Sequence, residues 1–302
     1  MITVTGQAGI SAKIIKHSVS NGTPIFTLEL EYPRFIHSEV MTHRMLSKNS
    51  ASSRAIPVKK MLEMIRNDPA MPVYWGKNQP GMQAAEELSE FDKLRAKDAW
   101  KYAAMWAAIY SERLVDLDVH KQISNRICEP FQRMKTVVTG TEWNNFFKLR
   151  DHPAAQPEFR ELAQCMLQAM KQSRPDMLLP GEWHLPYVNI VRTPTELQYW
   201  VGNEQLRLET ALMVSTSCCA QVSYRNLDDS IEKAKAIFDR LNLRGENGEP
   251  AHSSPAEHQA TPMKFDDIRN NHVWDTGVTH TDRYGDMWSG NFKSWIQHRQ
   301  IL

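Results

Sequence analysis

From Thr42 to Arg54 the chain reads Thr-His-Arg-Met-Leu-Ser-Lys-Asn-Ser-Ala-Ser-Ser-Arg, which combines an imidazole, two guanidiniums and several hydroxyls with no carboxylate. A guanidinium offers a planar fork of donors and serine adds short ones, so the segment has the chemistry of a surface that holds phosphates. A solvated basic loop is the plain alternative. Two features argue against it. The cations and hydroxyls interleave, and Phe35-Ile36 before them and Ala55-Ile56-Pro57 after them would hold the loop against a core. Serine-rich backbone can also turn successive N–H groups toward an anion.

Three further stretches carry polar groups in a pattern. Asn145-Phe146-Phe147-Lys148-Leu149-Arg150 reads as an amphipathic helix with a cation at its C-terminal end, where the helix dipole favours one, and Ala155-Gln156-Pro157-Glu158 follows. Asn125-Arg126-Ile127-Cys128-Glu129-Pro130 places another Arg near a helix end. Near the C-terminus stand Cys219-Ala220-Gln221-Val222-Ser223-Tyr224 and Ala251-His252-Ser253-Ser254-Pro255-Ala256-Glu257-His258. Each is unremarkable alone.

Together these blocks resemble the flavin-dependent thymidylate synthases. The family signature is Arg-His-Arg, seven residues, then Ser; here Thr42 replaces the first Arg, while His43, Arg44, Ser52 and Arg54 stand at matching places. The Asn145–Arg150 stretch is similar to Asn-Phe-Leu-x-Leu-Arg followed by Ala-Gln-x-Glu, and Asn125–Pro130 to Ala-Arg-x-x-Leu-Pro. The two C-terminal blocks resemble Ala-Arg-Val-Ser and His-Glu-Thr-Pro-x-Glu-His, which precede the signature in typical members. Here they follow it in the same order, which implies a circularly permuted arrangement, tolerable where termini lie close together at a surface. The resemblance departs at Thr42, at Glu39, where a Gln is usual, and at Ser50, where a Glu is usual.

The resemblance implies an enzyme that converts dUMP to dTMP. Methylenetetrahydrofolate would give the one-carbon unit, reduced FAD the hydride, and NADPH the electrons for the flavin. By the same carry-over, Glu39, Ser52, Ser53, Arg54, Arg126 and Arg150 surround dUMP, with Arg150 activating the pyrimidine. Thr42, His43, Arg44, Ser50, Asn145, His252 and Ser254 bind FAD. A homotetramer with shared active sites is implied, in a mixed α+β fold of helices and antiparallel sheet. Methylation at C5 of uracil needs negative charge on the ring to be stabilised, and cationic donors near the carbonyls can do this without a cysteine nucleophile. No cysteine stands in an activated setting, whereas Arg150 stands in the matching block. Two rivals remain: a related flavin and folate enzyme that transfers a hydroxymethyl group to a deoxypyrimidine monophosphate, and a nucleotide or single-stranded nucleic-acid binding protein that pairs the Arg/Ser loop with the tail's tryptophans.

Composition sets the frame. The 302 residues are 41% hydrophobic and carry a net charge of +1, enough for a core and too balanced for a polycationic surface. Neither membrane nor nucleic acid is an expected partner. No run of about 18 apolar residues occurs, and the N-terminal sequence lacks a basic region followed by an apolar stretch, so the expected location is the cytoplasm. Four cysteines without a CxxC spacing predict reduced thiols and no zinc site. His37, His280 and His298 lack metal-ligand spacing and read as surface or core histidines.

The positioning elements follow from periodicity. Residues 12–32 alternate as two strands joined at Ser20-Asn21-Gly22-Thr23, closed by Pro33. A short helix around Phe35–Met41 delivers His43 and Arg44, Pro57 ends the loop, and Val58–Ile65 reads as a helix. An irregular insertion occupies residues 67–82, with Pro69, Pro72 and Pro80. Helices are expected over Gln83–Asp118, His120–Cys128, Glu142–Arg150, Glu158–Lys171 and Asp228–Leu241. Pro175–Pro194 reads as a Pro-interrupted loop, Thr195–Val214 has no clear period, Arg244–Pro250 is a turn-rich loop, and the tail after Phe265 is not readable. The whole chain, 1–302, is expected to form one domain.

Overall fold

The computed structural model describes residues 2–222, 228–241, 254–264 and 274–302. Strands β1 (Thr3–Thr5), β2 (Ser11–Ser20) and β3 (Thr23–Pro33) open the chain. Asn21 and Gly22 both take positive φ, 46° and 80°, which suits a two-residue turn between right-twisted strands. Helix α1 (His37–Met41), strand β4 (Ser47–Ser50), helices α2 (Val58–Asn67), α3 (Glu90–Asp116) and α4 (Lys121–Ser124), and strand β5 (Arg133–Gly140) follow. Next come α5 (Asn144–Arg150), α6 (Pro157–Gln172) and the short strand β6 (Asp176–Met177).

These strands form one sheet in the order β1-β2-β3-β5-β4, antiparallel throughout, with β6 adding in parallel to the far end of β2. One face carries Leu28, Leu30 and Val138, which meet Phe159, Leu162 and Met166 of α6 in the largest core. A bulge between Ile14 and Lys16 changes the side-chain alternation of β2, so Lys16 and Ser18 are buried toward the opposite face.

The C-terminal half covers that opposite face. It contains β7 (Asn189–Arg192), β8 (Leu197–Val201) and β9 (Glu204–Leu206) as one antiparallel sheet, then α7 (Leu208–Ala220) and α8 (Ile231–Leu241). Strand β10 (Ala260–Pro262) comes next, followed by β11 (His280–Thr281), β12 (Met287–Ser289), β13 (Phe292–Lys293) and β14 (Trp295–Gln297), where β10 pairs β14. Val137 packs against Cys219 and Val222. A buried polar chain fastens the two halves. Ser18 Oγ bonds His184 Nδ1 at 2.9 Å, His184 Nε2 bonds Thr27 Oγ1 at 2.9 Å, Thr27 bonds Thr139 at 2.7 Å, and Thr139 Oγ1 bonds His258 Nδ1 at 2.8 Å. Buried hydroxyls and imidazoles largely satisfy one another here, which limits the cost of burying them, and His258 Nε2 at the end of the series is the ring nitrogen left without a partner among the described residues.

The mixed helical and antiparallel-sheet fold agrees with expectation, and several boundaries need correction. The long helix begins at Glu90 rather than Gln83, because Ser89 caps it by accepting from the Asp92 N–H at 3.1 Å. Residues before it instead pair back on the irregular insertion, with Lys77 N to Glu86 O and Leu88 N to Trp75 O both at 2.8 Å, so the insertion runs to 88. The helix expected over His120–Cys128 is divided into α4 and a 3-10 segment, Asn125–Phe131, which accommodates Pro130. The loop at Pro175–Pro194 holds β6 and β7, and the unclear stretch after it is β8, β9 and most of α7. The last helix starts at Ile231, three residues later than expected. Arg244–Pro250 lies outside the described residues. In the tail, Trp288 and Trp295 are buried, so they serve the core and are not presented to a base. No described helix is long and apolar enough to cross a membrane.

Two outcomes follow from this packing. Phe159 is fully buried beneath the sheet, and Phe159→Ala is expected to cost about 3–5 kcal/mol, read as a lower urea midpoint. Burial pushes His17 and His298 down to about 4 and His258 to about 3. These imidazoles stay neutral in the native state while the unfolded chain binds protons near 6.5. Their contribution is therefore complete above pH 6.5 and is lost as pH falls toward 4. Urea titrations should show the midpoint dropping across that window, and His298→Gln should flatten the slope.

Candidate active site

Helix α5 is short, and its apolar face fixes its end. Phe146 is buried against Phe159, and the Arg150 guanidinium lies over the Phe159 ring at 4.5 Å. Arg150 Nε donates to His43 Nε2 at 2.7 Å, and a terminal nitrogen donates to Thr42 Oγ1 at 3.3 Å. Another terminal nitrogen stands 3.7 Å from the Glu39 carboxylate. His43 lies edge-on to Phe146 and Phe159. Burial, then the charges of Arg150 and Lys48, push its pKa down to about 4. The ring is therefore neutral; because Arg150 can only donate, His43 Nε2 carries the lone pair and Nδ1 the proton. Thr42 Oγ1 in turn donates to the Glu39 carbonyl at 2.6 Å.

A second group gathers on Glu129. One oxygen of this carboxylate receives Arg34 at 2.8 Å, Arg126 at 2.7 Å and the Ser53 hydroxyl at 3.2 Å. Asn125 is fully buried and its amide donates to the carbonyls of Ser53 at 2.9 Å and Ile56 at 3.1 Å, which pins the serine run to the 3-10 segment. Ser52 accepts from the Arg54 N–H at 3.3 Å, and the Arg54 side chain is exposed.

Strand β4 links the two groups. Lys48 donates to the His43 carbonyl, and burial lowers its pKa to about 8, opposed by Glu257. Ser50 Oγ bonds Thr136 Oγ1 at 2.9 Å, Thr136 bonds the Tyr32 hydroxyl at 2.7 Å, and Tyr32 bonds His37 Nδ1 at 2.9 Å. The Arg34, Lys48 and Glu129 charges all act on His37.

The expected site residues thus fall into a pattern. Glu39, Thr42, His43 and Arg150 come together, and Glu39 and Arg150 line a cleft of about 1210 Å³ walled by Val73, Met82, Gln156 and Arg160. Ser53 and Arg126 come together on Glu129, outside that cleft. Ser50 lies between the groups. Arg44, Arg54 and Asn145 are exposed, and neither arginine makes an ion pair among the described residues. Ser254 is exposed at the start of a 3-10 segment, Ser254–Glu257, which packs beside β4, and His252 lies outside the described residues. Within one chain the dUMP set is therefore split between two places.

Sequence reasoning overlooked Arg34, His37, Lys48 and Glu129 as members of this surface. Lys48 was visible inside the signature run; the other three reach it only because β3, α1 and the 3-10 segment converge. The four cysteines are buried and free, and burial raises every thiol, Cys165 to about 11 and Cys218 to about 12. None is poised as a thiolate nucleophile. The C-terminal blocks also reach this region: Asn49 donates to the Cys219 carbonyl at 3.4 Å, and His258 is bonded to β5 through Thr139.

Comparison with known proteins gives two structural likenesses and one family match. The chain is similar to a UMP/dUMP methylase, PolB from Streptomyces cacaoi, solved with 5-Br UMP; identity is 16%, coverage 56% of this chain and 92% of that one, and the TM-score 0.48. The same methylase bound with 5-Br dUMP gives 17% identity, 54% and 90% coverage, and a TM-score of 0.45. No curated protein sequence matches the chain. Residues 12–176, more than half of the sequence, match the family described as thymidylate synthase complementing protein. That span contains both the Arg150–His43 pair and the Glu129 group, and the chain belongs to the thymidylate synthase complementing protein family.

Proposed function

We propose that this chain is a flavin-dependent thymidylate synthase that converts dUMP to dTMP, with methylenetetrahydrofolate as one-carbon donor and NADPH as reductant. The observation that carries the reading is the bond between Arg150 and His43. Two signature blocks separated by 107 residues meet at 2.7 Å, at the mouth of a cleft.

The donor set suits FAD and a nucleotide. Arg44 and Arg54 are exposed cations beside serines, the chemistry that phosphates require. The cleft volume is of the order of those that enclose organic ligands, roughly 300–1,000 Å³. Thr42, His43, Arg44, Asn145, His252 and Ser254 would hold the flavin dinucleotide, and Ser50, which lies between the two groups, would stand where the flavin meets the pyrimidine. When bound, reduced FAD supplies the hydride that completes the methyl group.

The protein's own part is electrostatic. His43 and Thr42 hold two corners of the Arg150 guanidinium, which leaves its remaining edge toward Glu39 and the cleft. That edge would meet a uracil carbonyl and stabilise negative charge as C5 becomes nucleophilic. A neutral His43 adds no competing cation and fixes the fork by its lone pair. Glu39 would accept from a ring N–H or a ribose hydroxyl rather than face the phosphate. Ser52, Ser53, Arg54 and Arg126 would take the phosphate.

The division of these groups within one chain supports shared sites in a homotetramer. Helix α3 provides a surface for assembly. It buries Ala104, Ala107, Ala108 and Ser111 against α2 and turns Tyr102, Met105, Trp106 and Tyr110 outward. A stripe this apolar on an outer face marks a protein interface. The placement of Cys219 and His258 against the central sheet likewise supports the circularly permuted reading.

Tritium release from C5-labelled dUMP with folate and NADPH tests the activity, and product mass separates methyl from hydroxymethyl transfer. Arg150→Ala should lower release at least a hundredfold while bound flavin, read by absorbance, persists; normal turnover would remove Arg150 from its role. Trp106→Glu should convert the assembly to smaller species in light scattering and reduce activity with it.

A further inference from the structure

The hydrogen-bonded series Ser50–Thr136–Tyr32–His37 is longer than packing requires. Tyr32 and Thr136 are fully buried, yet they are joined by hydroxyls to a strand end beside the Ser52–Arg54 run on one side and to a half-buried imidazole on the other. The three links of 2.9, 2.7 and 2.9 Å are all of hydrogen-bonding length. All the donors can point one way, from Ser50 toward His37.

We propose that this series is a proton relay that carries the C5 proton of the pyrimidine from Ser50 to His37. The inference rests on the uridylate reading above. Replacing hydrogen at C5 by carbon requires that the C5–H bond break, its electron pair staying in the ring. In the relay, Ser50 accepts that proton and passes its own to Thr136, Thr136 passes its own to Tyr32, and Tyr32 passes its own to His37 Nδ1. The three hydroxyls end unchanged and His37 becomes an imidazolium. No charged intermediate is needed on the buried phenol, whose ionisation burial opposes, raising its pKa to about 12.

His37 suits the terminal position. Burial, then Arg34 and Lys48, lower its pKa and keep it neutral and ready to accept, while Glu129 favours the imidazolium once formed. Its facing groups are therefore Tyr32 from β3, Arg34 from the following turn, Lys48 from β4 and Glu129 from the 3-10 segment. A purely structural series would need no free base at its end. Ser50 and His37 act through one another, so only Ser50 would touch substrate; Thr136, Tyr32 and His37 are relay residues.

The test uses the full-length holoenzyme and tritium release from C5-labelled dUMP. Tyr32→Phe and His37→Gln should each slow release about a hundredfold with dUMP affinity unchanged. In the native enzyme the rate should fall as acid protonates His37, at a pH below the ordinary histidine value, and His37→Gln should lack that limb. Ser50→Ala breaks the series at its accessible end, and release slowed about a hundredfold with the flavin absorbance at its native level gives the answer even if the buried substitutions prevent folding. Added imidazole should restore part of the rate to His37→Gly. Release at the native rate in Ser50→Ala or His37→Gln, with the same acid limb, overturns the relay. A native enzyme that neither binds dUMP nor releases tritium overturns the uridylate reading instead, and the two failures are distinct.

Discussion

The structure of the site depends on a guanidinium that donates to a neutral imidazole. Arg150 and His43 come from elements far apart in sequence, and neither holds its position alone. Phe159 supports the flat face of Arg150, Phe146 and Phe159 enclose the His43 ring, and burial keeps that ring unprotonated. Protonation of His43 would set two cations against each other at bonding distance. The aromatic cluster under α5 and α6 thus decides the charge state of the site as well as its shape, which ties the largest core directly to the chemistry.

A second constraint is that the central sheet is covered on both faces by different parts of the chain. The matched family region supplies α6 and all of the sheet except β1 and the outermost residues of β2 and β6, and the residues after Asp176 supply the other cover. Serine, threonine and histidine line that second interface where hydrocarbon would ordinarily suffice. Such an interface is specific in register, because each hydroxyl has a particular partner, and β4, paired with β5 on one side, is held on the other through Ser47 to Asn291 and Gln297 and through Asn49 to the Cys219 carbonyl.

Much of this was readable from the chain. The alternation in residues 12–32 and the Asn21-Gly22 turn gave the hairpin, because period and turn chemistry are local. The Thr42–Arg54 run could be singled out by residue type, and Arg150 only by the resemblance of its block to the family's element. What sequence did not yield depends on distant partners. Glu129 becomes a hub only because Arg34 and Ser53 arrive from the turn after β3 and the loop after β4. The true start of α3 was hidden because residues 83–88 look helical in composition while their backbone pairs with 75–77. The short strands of the tail are only two or three residues each, too brief to show a period.

Glu129 has one more consequence. By holding Arg34, Arg126 and Ser53 together, it serves as a resident counter-anion that offsets one of the two guanidinium charges. On the proposed reading, a phosphate dianion would meet donors already employed and a carboxylate that repels it. Its net grip is the difference between what those donors gain from the newcomer and what they surrender. Discrimination would then operate by exchange rather than capture: a monovalent anion would gain little over the incumbent, whereas a doubly charged group could displace it.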